Sequence, residues 1–244
     1  MEESLSVIVP ARNETKNLHK IIPPLISELE KEKIEFEVII VNDNSLDDTQ
    51  AVSQKLSFMY PKIRVVKRAM PFGFGRALKD GFKESKGKVI IPFMADGSDD
   101  PADLVRLYRK ILEGYDLVYG SRFMKGGRVY HYPILKLIIN RIANHLLKII
   151  FKIDNSDITN AFKAIRREAL VSLMPLEATE FNITLEIPLK ARIKNVRHAF
   201  MPVSWKGRDS GVSNLRVINL IKYYKQYFFT LKNLVAFGIK QNFF

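Results

Sequence analysis

Three carboxylates within five residues, Asp96, Asp99 and Asp100, follow an apolar run that is short enough to be a buried strand. Pro101 comes next and opens a segment with helical spacing. Open α/β sheets bind their ligands at the carboxyl ends of their strands, and hard oxygen ligands suit a divalent cation that carries a diphosphate. The cluster therefore predicts a metal–diphosphate site. The alternative is a solvated turn followed by a capped helix.

The segments around this cluster predict an α/β fold. Short runs rich in Val and Ile are separated by segments with helical periodicity. The predicted strands are residues 5–9, 37–41, 63–66, 89–93 and 116–119, and the predicted helices are 17–31, 47–59, one that begins near Gly75, and 102–112. Near-continuous apolar strands that alternate with helices favour a mostly parallel sheet with helices on both faces.

The charge is distributed unevenly along the chain. The formal net charge is +13, but residues 1–120 carry 18 basic and 19 acidic side chains, whereas residues 121–244 carry 21 and 7. Such asymmetry indicates an anionic partner, which could be a nucleic acid, a membrane surface or a phosphorylated substrate.

Two segments of this basic half have the pattern of membrane-interface helices. Residues 134–152 place basic and amide side chains on one half of a helical wheel and mostly isoleucines on the other. Residues 210–244 contain five basic residues, no acidic one and eight aromatic ones. Basic amphipathic segments rich in aromatics are typical of helices that lie in a membrane surface, although both apolar faces could instead pack on the core. For 134–152 the two interpretations are equally supported; for the C-terminal segment we favour membrane contact.

We therefore divide the chain into a catalytic domain, residues 1–210, which includes the amphipathic helix 134–152, and basic aromatic helices at the membrane interface, residues 211–244. The absence of cysteine excludes disulfides and Cys-based zinc sites. No stretch approaches the ~20 apolar residues of a membrane span, and the acidic N-terminus is no secretory signal, so we expect a cytoplasmic location.

Polar motifs follow several of the predicted strands. They read Val-Pro10-Ala-Arg12-Asn-Glu14, Val-Asn42-Asp43-Asn-Ser-Leu-Asp-Asp-Thr49, the acidic cluster, and Gly120-Ser-Arg122. This succession resembles the family 2 glycosyltransferases of the GT-A (Rossmann-like) fold, whose motifs read roughly VPxYNE, VDDxSxDxT, DxD and GSR. The segments 157–163 and 205–213 resemble DxTSGFR and FxxRxxGxS, which indicates the dolichyl-phosphate mannose synthases and related polyprenyl-phosphate hexosyltransferases.

The resemblance implies an inverting enzyme, peripheral on the cytoplasmic face of the membrane. It would move mannose or glucose from a GDP- or UDP-sugar to a polyprenyl (dolichyl-type) phosphate. The catalytic residues implied are Asp96, Arg122 and Arg208. The nucleoside pocket would be lined by Pro10, Arg12, Glu14 and Asp43, and Mg²⁺ or Mn²⁺ would be held by Asp96 and Ser98. The acceptor phosphate would bind Arg122, Lys136, Asn140 and Arg208.

Several positions depart from the family pattern. Met94 replaces the first acid of DxD, which leaves the metal site one carboxylate short, and Ser98, Asp99 or Asp100 could compensate. The other departures are Asn42 for the first Asp of VDD, Ala161 and Lys163 for Gly and Arg of SGFR, and Asn214 for a Lys. They bear on the identity of the nucleotide and the sugar more than on the fold.

Two other functions remain open. A phosphate acceptor is already ionised near neutrality and needs no base, whereas a sugar-hydroxyl acceptor would need one, for which Asp157 is the candidate. Asp157 could equally cap a helix or pair with a basic residue. A nucleic-acid-binding module would suit the basic half, but it leaves the acidic and polar strand ends unexplained.

Overall fold

The computed structural model describes residues 3–154, 157–207 and 220–240, and within these ranges the side chains of residues 135–136, 220–225 and 240 are outside the description. The strands of the described residues are β1 (Leu5–Ala11), β2 (Phe36–Asn42), β3 (Ile63–Lys67), β4 (Val89–Pro92), β5 (Leu117–Ser121), β6 (Arg128–Tyr130), β7 (Lys163–Arg166), β8 (His198–Pro202) and β9 (Ser204–Lys206). The helices are α1 (Thr15–Lys31), α2 (Thr49–Met59), α3 (Phe74–Glu84), α4 (Pro101–Leu112), α5 (Ile134–Phe151), α6 (Arg167–Ser172), α7 (Ile183–Ile193) and α8 (Leu220–Lys240).

Seven strands form one sheet in the order β3-β2-β1-β4-β7-β5-β8. All neighbours are parallel except β7, which runs antiparallel to both β4 and β5. The mostly parallel sheet predicted from the sequence is confirmed, and the strands and helices predicted within residues 5–119 are present with ends shifted by at most two residues. A separate two-stranded parallel ribbon joins β6 to β9.

Side chains alternate along β1 between two cores, one on each face of the sheet. Val7 and Val9 belong to the core that α1 and α4 cover, whereas Ile8 belongs to the core under α3 and α7. Successive side chains of a strand point to opposite faces, so a strand covered on both sides must be apolar at every position. This accounts for the unbroken Val and Ile runs in the sequence.

Helix α5 is oriented with its apolar half outwards. The amide of Asn144 is fully buried, and Leu147 and Phe151 are the buried apolar residues of the same face. The large apolar side chains of the opposite face are 42–75% exposed, and they are Ile134, Ile138, Ile142, Leu146, Ile149 and Ile150. The alternative in which this face packs on the core is therefore wrong for these six side chains.

Helix α8 has one face on the core and one in the open. Leu234 and Thr230 are buried, and the Thr230 hydroxyl accepts a hydrogen bond of 2.9 Å from the amide of Asn182 at the start of α7. Phe228 and Phe229 are 71% and 63% exposed. The proposed domain boundary at residue 210 lies outside the described residues. Among the described residues, no helix combines the length and the apolar character that a membrane crossing requires.

The orientation of α5 predicts opposite outcomes for two truncations on that helix. Leu147→Ala should lower the free energy of unfolding by about 2–5 kcal/mol, because it leaves a cavity in a packed core. Ile142→Ala should change it by less than about 0.5 kcal/mol, because the side chain is exposed in the monomer. Urea unfolding followed by circular dichroism measures both values, and equal losses would contradict the described orientation.

Candidate active site

The polar motifs meet at one edge of the sheet. Strands β1, β2 and β4 are parallel neighbours, so their carboxyl ends bring Pro10, Asn42 and the loop after Pro92 to the same edge. The turn after β1 is fastened to the next motif, because the Glu14 N–H donates to the Thr49 hydroxyl at 2.9 Å. The edge predicted from the sequence is therefore formed by these three strand ends.

Asp43 lies at this edge, and both of its carboxylate oxygens accept hydrogen bonds from the protein itself. It is 3% exposed, and its two carboxylate oxygens accept hydrogen bonds from the Arg68 guanidinium and, at 2.8 Å, from the Gly73 N–H. The carboxylate thus fixes the loop between β3 and α3 across the end of β2. The role of Arg68 escaped the sequence analysis, although a basic residue two positions after a predicted strand was a visible signal.

Arg12 and Phe72 form a stacked pair beside Asp43. The guanidinium carbon of Arg12 lies 3.4 Å from the centre of the Phe72 ring, within the range of a cation–π contact. The ring is 37% exposed, and Glu14, at the same turn, is buried and accepts from the Asn17 amide at 2.5 Å. A flat cationic platform next to buried carboxylates can stack on a nucleoside base. Nothing in the sequence pattern pointed to Phe72.

The acidic residues after β4 perform different tasks. Asp100 caps α4 through a hydrogen bond of 2.7 Å from the Ala102 N–H, so the capped-helix alternative is right for this residue. Asp99 is buried and accepts from the Met94 N–H at 2.9 Å, which closes the loop. Asp96 accepts from the Ser98 N–H at 3.1 Å and borders a cavity of about 190 Å³ against α1.

Asp99 titrates well above an ordinary aspartate. Burial is the main cause, and together with the nearby carboxylates of Asp96 and Asp103 it raises the pKa of Asp99 to about 7, although the Met94 N–H and Arg122 oppose the shift. No group of three His, Cys, Asp or Glu side chains among the described residues could hold a metal by itself. The oxygen-only donor set of Asp96 and Ser98 nevertheless fits a hard divalent cation that completes its shell with phosphate and water.

Arg122 and Asp157 form a buried ion pair on the other side of the loop. Both side chains are at most 7% exposed. Asp157 accepts from the Arg122 N–H and Nε, each at 2.8 Å, and from Nη2 at 2.7 Å. Burial disfavours the charged guanidinium, yet the carboxylate more than offsets this and raises the pKa of Arg122. Of the roles considered for Asp157, pairing with a basic residue is the one that the structure shows.

Strand β9 connects this pair to the acidic loop. Trp205 forms a β-bridge with Asp99, and the Lys206 N–H donates to the Ser98 carbonyl at 3.1 Å. Gly207 then donates to the Tyr130 carbonyl at 2.9 Å. The backbone is thus held beside the acidic loop up to the residue before Arg208. Arg208 itself lies outside the described residues, as does the side chain of Lys136.

Helix α5 reaches the region of the Arg122–Asp157 pair through Asn140 and Arg141. The Asn140 amide donates to the Thr159 hydroxyl at 3.2 Å, two residues after Asp157. The guanidinium carbons of Arg141 and Arg122 lie 4.7 Å and 5.1 Å from the centre of the same Phe123 ring. Arg141 is a nearby cation that the sequence analysis missed, because a helical wheel does not say which loop a basic face meets.

Lys163 is buried without a hydrogen-bond partner. Its side chain is 5% exposed, its Nζ atom makes no hydrogen bond with the described residues, and the ammonium lies 5.9 Å from the centre of the Tyr119 ring. Burial lowers the pKa of Lys163 to about 7; Asp157 opposes this shift and Arg122 adds to it. The Lys163 side chain is therefore only partly protonated at neutral pH.

The chain belongs to glycosyl transferase family 2, because the model of that family matches residues 6–173. The chain is 31% identical over 230 residues to a dolichol-phosphate mannosyltransferase of Pyrococcus furiosus, and this match covers 93% of the chain and 64% of the relative. It is 28% identical over 220 residues to a polyprenol monophosphomannose synthase of Mycolicibacterium smegmatis, covering 88% and 82%. The family resemblance stated from the motifs is confirmed.

Solved structures agree with the fold. The chain superposes with a TM-score of 0.73 on glucosyl-3-phosphoglycerate synthase of Mycobacterium tuberculosis in complex with Mn²⁺, uridine diphosphate and phosphoglyceric acid. The two are 20% identical, and the match covers 95% of this chain and 78% of the other. At that identity the likeness shows the fold, and the expected GT-A architecture is confirmed.

Lys163→Met should stabilise the protein in a pH-dependent way. A lysine whose pKa falls from 10.5 to about 7 on folding binds fewer protons in the folded state between these values. Stability of the wild type therefore rises with pH across this window. The advantage of Lys163→Met should be largest below pH 7 and should shrink towards pH 10.5.

Urea unfolding between pH 6 and pH 10 measures this advantage. The exposed Lys55→Met is the matched control and should show no such trend. An advantage that stays constant with pH would contradict the described environment of Lys163.

Proposed function

We propose that this protein transfers a hexose from a nucleotide sugar to the phosphate of a polyprenyl lipid, with inversion at the anomeric carbon. The observation that carries the proposal is the Arg122 guanidinium, which Asp157 holds in a buried position close enough to Asp99 to affect its pKa. Such an arrangement suits a reaction in which two anions must approach each other. The names of the two relatives support the same acceptor class.

The reaction would be a single displacement. An oxygen of the acceptor phosphate forms a bond to the anomeric carbon, and the bond to the donor diphosphate breaks with its electron pair leaving on the nucleoside diphosphate. The main electrostatic obstacle is repulsion between the two phosphate groups, which fixed cations offset while they also set the attack geometry. Arg122 would bind the acceptor phosphate, together with Asn140, Lys136 and Arg208.

Asp157 is poorly suited to act as a base. A general base needs a free lone pair directed at the proton that it removes, whereas both oxygens of Asp157 already accept from Arg122 and the residue is fully buried. This favours an ionised phosphate acceptor over a sugar hydroxyl. The buried position of Asp157 thereby makes the hydroxyl acceptor the second candidate.

The donor would bind along the edge formed by Pro10, Arg12, Glu14 and Asp43, with the base stacked on the Arg12 guanidinium. Asp96, assisted by Ser98, would hold Mg²⁺ or Mn²⁺. When bound, the cation neutralises charge on the departing diphosphate. The mycobacterial synthase of the same fold binds Mn²⁺ and uridine diphosphate, which supports a nucleotide donor used together with a divalent cation. The experiment below distinguishes GDP from UDP donors.

The exposed apolar face of α5 would place the enzyme on the membrane. The exposed isoleucines form a stripe along the outer face of α5, and the inner face of the same helix carries Asn140. An acceptor anchored in the lipid would therefore present its phosphate to Arg122. The side chains Phe228 and Phe229 of α8 would add to this contact. We propose a peripheral attachment to the cytoplasmic face on these grounds.

A donor–acceptor screen tests the proposal. Radiolabelled GDP-mannose, GDP-glucose, UDP-glucose and UDP-mannose are incubated in detergent with polyprenyl phosphates or with oligosaccharide acceptors, with and without Mn²⁺, and the labelled products of both acceptor classes are counted. We expect one donor to label the lipid phosphate in a metal-dependent manner. Labelling of a sugar hydroxyl, with none of the lipid phosphate, would overturn the proposal.

Removing the buried cation should abolish transfer. Arg122→Gln alone leaves the Asp157 carboxylate uncompensated, which costs about 3–5 kcal/mol of stability, so Arg122→Gln/Asp157→Asn is made as well. Both variants should lose at least about 10²-fold in kcat/KM for the lipid phosphate while nucleotide affinity, measured by calorimetry, is kept. The exposed Arg197→Gln is the control; a double variant as active as this control would exclude Arg122 from the acceptor site.

Membrane attachment should depend on the stripe of α5. Ile138→Ser/Ile142→Ser/Leu146→Ser should reduce co-sedimentation with anionic vesicles at least about tenfold, since each buried methylene contributes about 0.8 kcal/mol. A matched control replaces three apolar side chains that are 59–89% exposed elsewhere, with the substitutions Leu46→Ser/Phe58→Ser/Met59→Ser. Equal vesicle binding of the two triple variants would contradict the assignment of α5 as the attachment surface.

A further inference from the structure

Asn144 is the fully buried amide that joins helix α5 to the segment before β7, and the half-buried Asn140 adds a hydrogen bond to the same segment. The Asn144 Oδ1 atom accepts from the backbone N–H groups of Ile158 and Thr159, at 2.6 Å and 3.2 Å. Its Nδ2 donates to the Thr159 hydroxyl at 3.0 Å and to the Asn140 carbonyl at 2.9 Å. The side chain is fully buried, and its donors and acceptor are all used.

The segment that Asn144 holds leads directly to the buried ion pair. Ile158 follows Asp157, whose carboxylate accepts three hydrogen bonds from Arg122. On the other side, the Asn160 amide donates to the Gly120 carbonyl at 2.8 Å, at the end of the strand that precedes Arg122. The segment 157–160 is therefore fastened to α5 through Asn140 and Asn144, to β5 through Gly120, and to Arg122 directly after that strand.

A polar side chain at position 144 calls for an explanation other than packing. The inner face of α5 continues with Leu147 and Phe151, which pack in an apolar cluster, so an apolar side chain could fill the same space. It would leave the N–H groups of Ile158 and Thr159 buried without partners, at a cost of about 1–3 kcal/mol for each. The amide is thus the group that lets the segment 157–160 lie against the helix.

We propose that Asn144 is a positioning residue of the acceptor site: it fixes the segment 157–160 on α5, so that Asp157 holds the Arg122 guanidinium in the orientation that receives the acceptor phosphate. Asn144 acts through the backbone of Ile158 and Thr159 and does not contact the substrate. Misplacement of a reacting group by about 1 Å can cost about 10²-fold in rate. The inference rests on the proposed function, because it takes Arg122 to be the phosphate-binding cation.

The kinetic test compares Asn144→Ala with Leu147→Ala, a truncation on the same buried face of α5 that removes packing and no hydrogen bond. In detergent with polyprenyl phosphate and the nucleotide sugar that the screen identifies, Asn144→Ala should lower kcat/KM for the lipid at least tenfold and leave KM for the nucleotide sugar within twofold. Leu147→Ala should change neither by more than about twofold. Equal kinetic constants in the two variants would overturn the proposal.

A second measurement needs no substrate, and so separates this inference from the proposed function. Amide hydrogen exchange, read by mass spectrometry, should accelerate in Asn144→Ala at Ile158 and Thr159 and also at Arg122, whose N–H donates to Asp157. Leu147→Ala should leave the Arg122 amide as protected as in the wild type. Unchanged protection of Arg122 in Asn144→Ala would overturn the proposal even if transfer to lipid phosphate is found. Faster exchange would support the coupling of Asn144 to Arg122, and the absence of transfer would then overturn the proposed function and not this coupling.

Discussion

A buried ion pair between Arg122 and Asp157 is the interaction on which the rest of the site depends. Taking two charges out of water is costly, and their attraction compensates only where the geometry is good and further hydrogen bonds are made. Here the carboxylate accepts three hydrogen bonds from one arginine, including its backbone N–H. The pair lies where β5 and β7 meet, so it fixes the end of the sheet at which the polar motifs collect.

The charges near the pair have opposite signs on its two sides. Asp96 and Asp99 lie in the loop after β4, and Arg122 is close enough to oppose the rise in the pKa of Asp99. Strand β9 contacts the same loop through the β-bridge between Trp205 and Asp99, and Gly207 follows the strand. A donor diphosphate with its cation would suit the acidic side, and an acceptor phosphate the basic side. Under the proposed function, this separation of charge by position would let one site bind two anions.

Much of the fold was readable from the sequence because it follows from local chemistry. Unbroken Val and Ile runs indicate strands that are buried on both faces. Asp100 followed by Pro101 predicts a helix start, and the structure has Asp100 as the N-cap and Pro101 as the first residue of α4. The family motifs fall at strand ends for the same reason, since the carboxyl edge of a parallel sheet is where backbone and side chains remain free for ligands. These features are set by neighbours in the chain.

The features that escaped prediction depend on partners far apart in the chain. Periodicity identified two faces of α5 but did not show which face packs on the protein. Asn144 is buried because its side chain accepts hydrogen bonds from the N–H groups of residues 158 and 159. Asp43 was predicted from its motif, but the pattern did not show that its carboxylate also accepts a hydrogen bond from Arg68, 25 residues away. Spacing carries no information about such pairings, because several basic residues could have reached each carboxylate.

The most direct test of the central claim is the steady-state kinetics of Asp157→Asn with a polyprenyl phosphate acceptor. If Asp157 serves to hold Arg122, the variant should raise KM for the acceptor while the pH dependence of kcat keeps the shape of the wild type. A general base contributes about 10²–10⁴-fold to the rate. A loss of that size in kcat, with KM for the acceptor unchanged and the acidic limb of the pH profile abolished, would show that Asp157 removes a proton and would contradict this account.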